Sequence, residues 1–184
     1  MLFLALRLRQ QKLLRLEQTN QSLLVASETD PLTQVGNRRY LDKKLSMLSQ
    51  TSIELAFLLL DIDHFKTLND TYGHDMGDDV LVRLANILKA LCRKEDVLAR
   101  IGGEEFVILL PNTDESASLV FAERIREAVA SNTFEVSKRV TVSIGVALGN
   151  TKNANYDELY KQADTAMYRA KTDGRNHVRT FSQA

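Results

Sequence analysis

Val97-Leu98-Ala99-Arg100-Ile101-Gly102-Gly103-Glu104-Glu105-Phe106-Val107-Ile108-Leu109-Leu110 decides how this chain is read. Two apolar runs flank a pair of glycines, so the segment predicts a β-hairpin over Val97–Ile101 and Phe106–Leu110, which Pro111 ends. Two carboxylates follow the glycines directly. Upstream, Glu54 to Leu60 is an apolar run closing on Asp61-Ile62-Asp63, as expected of a buried central strand. Alternation puts Asp61 and Asp63 on one side of that strand end. If the hairpin pairs beside it, Glu104 and Glu105 come within reach of Asp61. Hard oxygen ligands on neighbouring strands suit Mg²⁺, which is usually held by one or two carboxylates and substrate phosphates.

Outward from this centre, Asn37 to Leu48 reads as a helix. Leu68 to Cys92 reads as a loop and then a long helix, its apolar residues from Val80 to Leu91 at helical spacing. Ser116–Ala130 and Tyr156–Ala170 are helical, Val140–Ala147 alternates as a strand, and His177–Phe181 is a last short strand. The order is helix, strand, helix, hairpin, helix, strand, helix, strand. It predicts an α+β fold: a mixed central sheet of about five strands flanked by helices, not a doubly wound parallel sheet.

Bulk properties narrow the function classes. The chain has 184 residues, 44% hydrophobic and 26% charged, enough for one core without disulfides or structural metal. Its formal net charge of zero carries no broad basic footprint, so nucleic acid is not expected as a partner and any phosphate binding should be local. The single Cys92 excludes an intramolecular disulfide and suits packing in a reducing compartment.

The first 29 residues read as a separate N-terminal helix. Leu6, Leu13 and Asn20 fall in one heptad column and Leu16 and Leu23 in another, a short coiled-coil pattern; a lone amphipathic helix is the alternative. Asp30-Pro31 stops this helix, so the globular domain is expected over 30–184. The apolar start Met1 to Leu6 is far short of the roughly 20 residues of a membrane span. It reads either as the stub of a span cut off upstream or as an apolar helix start. A cytoplasmic domain is expected, with tethering to the inner membrane and an upstream sensory domain left to a longer parent protein.

Gly102-Gly103-Glu104-Glu105-Phe106 resembles the signature of the GGDEF family, the diguanylate cyclases. Further segments in matching order carry the resemblance from Asp30 to Val178. They are Asp30-Pro31-Leu32-Thr33 with Asn37-Arg38-Arg39, Asp61-Ile62-Asp63-His64-Phe65-Lys66, Asn69-Asp70, Gly73-His74, Gly77-Asp78 and Val142-Ser143-Ile144-Gly145. Ala163-Asp164, Ala166-Met167-Tyr168, Ala170-Lys171 and Gly174-Arg175-Asn176 complete the set. One departure is Gln34, where the family usually has glycine.

The resemblance implies a palm-like sheet that condenses two GTP into cyclic di-GMP and releases pyrophosphate. Asp61, the Ile62 carbonyl and Glu104 would hold Mg²⁺, with Mn²⁺ as the alternative metal. Glu104 would also help deprotonate the ribose 3′-hydroxyl, with Glu105 beside it. Asn69, His74 and Asp78 would take the guanine, Phe65 would lie at the substrate, and Lys66, Lys171 and Arg175 would meet the phosphates. Arg93 and Asp96 have the spacing of the family's product-inhibition site, to which Arg124 and Arg100 could add. The implied enzyme works as a homodimer of domains. Taken singly, each residue has an ordinary structural use: a solvated acid, a helix cap, a surface ion pair. Two rival functions are a receptor that binds GTP or cyclic di-GMP without catalysis, and a palm-like domain acting on another nucleotide.

Overall fold

The computed structural model describes residues 27–136, 139–152 and 155–181. The heptad columns from Leu6 to Leu23 lie outside the described residues. The elements are α1 (Arg38–Leu48), β1 (Glu54–Ile62), α2 (Phe65–Tyr72), α3 (His74–Leu91), β2 (Val97–Arg100), β3 (Glu105–Pro111), α4 (Glu115–Ser131), β4 (Val142–Asn150), α5 (Tyr156–Thr172) and β5 (Val178–Thr180). The strands form one sheet in the order β2-β3-β1-β4-β5, antiparallel except for the β4–β5 pair. This is the mixed five-stranded α+β sheet that the hydrophobic pattern predicts. Among the described residues no helix is long and apolar enough to cross a membrane.

β1 explains the architecture. Both faces of its run Leu55 to Leu60 are fully buried, and each such side chain contributes about 1.5–3 kcal/mol relative to exposure. Alternation sends Ala56, Leu58, Leu60 and Ile62 against α3 and α4 through Val80, Leu81, Leu84, Phe121 and Ile125. The opposite set, Leu55, Phe57 and Leu59, meets α1 and α5 through Leu41, Leu45, Leu159, Ala163 and Met167. Phe57 meets Tyr160 of α5 edge to face, with ring centroids 6.3 Å apart.

One expectation needs correction. The stretch from Leu68 to Cys92 is not a loop followed by one helix, because helix begins at Phe65 and breaks at a single residue, Gly73 (φ 88°). A left-handed residue cannot continue an α-helix, and glycine adopts that region at no steric cost. The hairpin glycines behave differently: neither Gly102 nor Gly103 is left-handed. A Cβ on Gly102 would sit 2.7 Å from a Glu105 carboxylate oxygen, a contact that the flexible end of that side chain can relieve by moving.

Gln34 does adopt the left-handed conformation (φ 55°), which accounts for a glycine being usual in its place. The turn holds nonetheless, because Asp30 Oδ1 accepts from the Thr33 amide (2.8 Å) and hydroxyl (2.6 Å) and Gln34 N donates to Asp30 O (2.9 Å). Gly36 then joins the outer edge of β2, donating to Leu98 O (3.2 Å) and accepting from Arg100 N (2.8 Å). That contact covers part of a strand edge that would otherwise expose unpaired backbone groups.

Gly145 sets the seat of α5 on β4. A Cβ there would lie 1.9 Å from Ala163 O and 2.4 Å from Met167 N, and backbone cannot yield as a flexible side chain can. Gly145→Ala should therefore lift α5 and destabilise the domain by at least about 2 kcal/mol. Urea denaturation monitored by circular dichroism checks this, and an unchanged midpoint would refute the account.

Candidate active site

β1 runs two residues beyond its apolar core, and both neighbours follow it. Asp61 therefore stands directly opposite Glu105 on β3 and Ser143 on β4, all on the α5 face of the sheet. Asp61 is only 8% exposed, and its Oδ1 pairs with Lys171 Nζ at 2.9 Å. Lys171 comes from the last turn of α5, where a cation is also favoured by the helix dipole. Glu104 ends the loop that closes β2 onto β3, with Ile101 N donating to Glu105 O at 3.0 Å. Arg100 braces that loop from outside. It donates to Gly103 O (2.7 Å) and pairs with Asp30 at 3.1 Å, so it serves the loop and the N-terminal turn. Its partners among the described residues are Gly103 and Asp30, not Arg93 or Asp96, to which the resemblance offered it as an addition.

Charge is unbalanced at this strand end. Burial pushes the Asp61 carboxyl above its ordinary value, against the pull of Lys171 and of Arg175. Burial also raises Glu104 and Glu105, and the Asp61 charge raises both further. Asp164 adds to the effect on Glu105. The hydrophobic pattern gave Asp164 no role, yet Tyr160, Asp164 and Lys171 recur at helical spacing on the face of α5 turned to β1 and β3. Among the described residues no three His, Cys, Asp or Glu groups gather closely enough to hold a metal ion. A set of two carboxylates and one backbone carbonyl does not require such a cluster. An excess of hard anionic oxygen facing one ammonium group is the donor chemistry that a divalent cation completes.

Asp63 does something else. Buried at 8% exposure, it accepts from Thr141 Oγ1 (2.7 Å), Ser143 Oγ (2.6 Å) and Asn176 N (2.9 Å). It joins the ends of β1 and β4 to the loop that carries Arg175. Of the other predicted residues, Lys66 is exposed on the first turn of α2. Phe65 turns inward: its side chain is 6% exposed within the core, so only its backbone remains for a ligand. Asn69 packs against Gly77, where a Cβ would lie 1.9 Å from its Oδ1. That places Asn69 beside the turn of α3 that carries exposed Asp78. Asn69 Oδ1 is buried and without a hydrogen-bond partner among the described residues, so a ligand engaging this amide meets Nδ2 or turns the group around. His74 opens α3 in the exposed class; Gly73, not His74, holds the cap position.

Arg93, Asp96 and Arg124 form a second cluster at the far end of α3. Asp96 Oδ2 accepts from Arg93 N at 2.7 Å, closing a tight turn. Burial raises the Asp96 carboxyl, with Arg93 and Arg124 pulling the other way. Arg124 lies over the Phe121 ring at 4.9 Å and donates to Leu91 O. Arg93 and Asp96 border a small cavity of about 80 Å³ with Asn112, Thr113 and Phe121. Cys92 beside them is inert, its thiol pushed by burial up to about 12.

The raised acids carry a stability cost with a definite sign. A carboxyl whose folded value exceeds its unfolded one, about 4.3 for glutamate, binds a proton more readily when folded, so its ionisation opposes folding above that range. Partial exposure of Glu105 keeps the effect small. Glu105→Gln should raise Tm by about 1–3 °C at pH 7, with the gain fading below about pH 4 as the carboxyls protonate in both states. Calorimetry at the two pH values measures this, and a lower Tm at pH 7 would overturn the charge-imbalance account.

Comparison with known proteins places the chain in a family. Residues 27–177 match the model of the family described as "Diguanylate cyclase, GGDEF domain". Diguanylate cyclase DgcM of Escherichia coli is 45% identical over 157 residues, 83% of this chain and 38% of that protein. Response regulator PleD of Caulobacter vibrioides is 42% identical over 159 residues, 82% of this chain and 35% of that protein. The chain thus spans little more than a third of the length of these relatives. Among solved structures, the coiled coil and GGDEF domain of DgcB from Caulobacter crescentus, in complex with c-di-GMP, superposes with a TM-score of 0.90 at 28% identity. It covers 97% of this chain and 98% of that one. The active GGEEF domain of a Vibrio cholerae diguanylate cyclase gives 0.74 at 33% identity, covering 82% and 100%. By sequence match and by fold, the chain belongs to the GGDEF family, the diguanylate cyclase domains.

Proposed function

We propose that this domain is a diguanylate cyclase that condenses two GTP into cyclic di-GMP with release of two pyrophosphates. The observation that carries the reading is the register of β1 on β3, which sets Asp61 opposite Glu105 with Lys171 on Asp61 and Arg175 within electrostatic reach. Acids that share a proton-retaining environment beside two cations suit phosphoryl transfer, in which the protein positions and stabilises charge and forms no covalent bond. The relatives named as diguanylate cyclases and the neighbour bound to c-di-GMP support the substrate and product classes.

In this mechanism, Glu104 takes the proton of a ribose 3′-hydroxyl, for which a raised carboxyl is suited. The 3′-oxygen bonds to the α-phosphorus of the other nucleotide as the bond to the β-phosphate oxygen breaks and pyrophosphate leaves. Lys66, Lys171, Arg175 and the backbone at Phe65 hold the phosphates, while Asn69, His74 and Asp78 hold the guanine. Mg²⁺, or Mn²⁺ in its place, would bind Asp61, the Ile62 carbonyl and Glu104 and supply charge neutralisation at the triphosphate. Lys171 must then leave Asp61 for the phosphates. Each hydroxyl attacks the other domain's nucleotide, so the reaction needs two domains face to face. The heptad pattern read in the sequence is the segment that would bring copies together by raising their effective concentration. An upstream sensor and a membrane tether belong to the same reading, as does feedback by product at Arg93, Asp96 and Arg124.

The Lys171–Asp61 ion pair also favours a second reading, a receptor that binds nucleotide without turnover, because it neutralises Asp61 and occupies its Oδ1. Pyrophosphate release separates the two. Incubation with GTP and Mg²⁺ should yield cyclic di-GMP, identified by mass after chromatography, and Asp61→Asn should lower the rate at least about 100-fold. Intact GTP after prolonged incubation would sink the cyclase reading. Base choice is tested at Asp78, whose carboxylate can accept from the guanine N1 and N2 donors that adenine lacks. Asp78→Ala should narrow the preference for GTP over ATP by about 10-fold or more, read from competing turnover of the two nucleotides. Unchanged selectivity would remove Asp78 from the base pocket.

A further inference from the structure

The loop that carries Arg175 is held in an unfavourable backbone conformation. Gly174, Arg175 and Asn176 have φ of 112°, 63° and 50°, three successive residues in the left-handed half of the map, two of them with side chains. Such a run persists where its surroundings over-determine it, and backbone strain of this kind clusters at ligand clamps and active sites. Arg175 N donates to Ala170 O at 3.0 Å, a bond any helix end can make. Beyond the contact of Arg175 O with His177 Nδ1, the loop is restrained at Asn176, which is gripped at both ends. Its backbone N–H donates to Asp63 Oδ2 at 2.9 Å, and its side-chain Oδ1 accepts from Arg126 NH1 at 3.2 Å.

Both anchors are themselves fixed. Asp63 is buried and accepts from the hydroxyls of Thr141 and Ser143, one on each carboxylate oxygen, which hold it to the strand ends if the loop moves. Arg126 lies on α4, across the sheet face from α5, and is braced by Glu123 at 2.6 Å and Glu127 at 3.5 Å. We infer that Asp63 and Arg126 are positioning residues that clamp Asn176 and thereby hold Arg175 toward the triphosphate side of Asp61. This rests on the reading above, in which Arg175 meets phosphate. A carboxylate in the strand-end motif then has a role distinct from its neighbour Asp61. An arginine on α4 that lies outside every recognised motif becomes part of the substrate machinery.

The test uses Arg126, whose partial exposure lets the fold survive substitution, with Arg126→Met keeping the apolar stem. Affinity for a non-hydrolysable GTP analogue with Mg²⁺ is measured by calorimetry for the unsubstituted protein, Arg126→Met, Arg126→Lys, Arg175→Ala and the Met/Ala double variant. Arg126→Met should weaken binding about 5-fold with Tm within about 2 °C, because only the orientation of a phosphate ligand is lost. Arg126→Lys, which keeps a donor, should recover part of the affinity. The double variant should bind no worse than Arg175→Ala alone, since a positioning residue has nothing left to position. Full affinity in Arg126→Met, or two losses that multiply, overturns the clamp. Unchanged affinity in Arg175→Ala removes Arg175 from the phosphate site and the clamp with it. Absence of binding by the unsubstituted protein refutes the nucleotide reading itself.

Discussion

A carboxylate at the end of a strand buried on both faces is the constraint on which the rest of the site depends. β1 is the central strand, and apolar burial on two sides holds its register against one-residue slips that would turn its leucines to the wrong layer. Asp61 has no freedom to choose its depth. It is placed 8% exposed by the packing of Leu55 to Leu60, and Lys171, Glu105 and Ser143 arrive because their own elements pack on that strand. A buried charge without partners is costly, and the single Lys171 pair offsets only part of this, leaving Glu104 and Glu105 to share an excess of negative charge. The same imbalance that costs stability is what the proposed binding of a cation and phosphates would relieve.

The elements around β1 are arranged to bring α5 close. Gly145 removes the one side chain that would hold α5 away from β4, and Phe57 meets Tyr160 at the same interface. α5 then delivers Asp164 and Lys171 two turns apart and ends at the strained Gly174–Asn176 segment. Close helix packing, a left-handed loop and a buried carboxylate under it form one mechanical unit. At the opposite sheet edge, Asp30 joins Thr33 and Arg100, and Arg100 joins Gly103. The chain entering the domain is therefore tied to the loop that bears Glu104. Burial alone would raise the Asp30 carboxyl, but the Thr33 and Arg100 contacts outweigh it and hold the group below its usual range.

Much of this was legible in the residues because it follows from period and punctuation. The apolar run into Asp61, the hairpin around Gly102-Gly103 and the helical spacing from Val80 to Leu91 each report a local preference, and the structure keeps all three. The early start of α2 was not legible, since Phe65 to Tyr72 lacks a long periodic face and depends on Gly73 to break the helix and on Gly77 to admit Asn69. Phe65 read as a substrate residue from its motif, and the core claimed its side chain. The resemblance offered Arg100 to the Arg93 and Asp96 cluster, whereas its partners, Gly103 and Asp30, lie 3 and 70 positions away in sequence.

The sequence by itself determined the alternation of strands and helices, the two-faced burial of β1 and the family signature, because these depend on neighbours within one or two turns. Only the tertiary structure decided that Asp63 accepts from the loop that carries Arg175, that the Asp164 charge acts on Glu105, and that Arg126 reaches Asn176. Those contacts join residues tens of positions apart, 113 for Asp63 and Asn176, and no local preference encodes a hydrogen bond whose partner is positioned by the packing of the whole sheet.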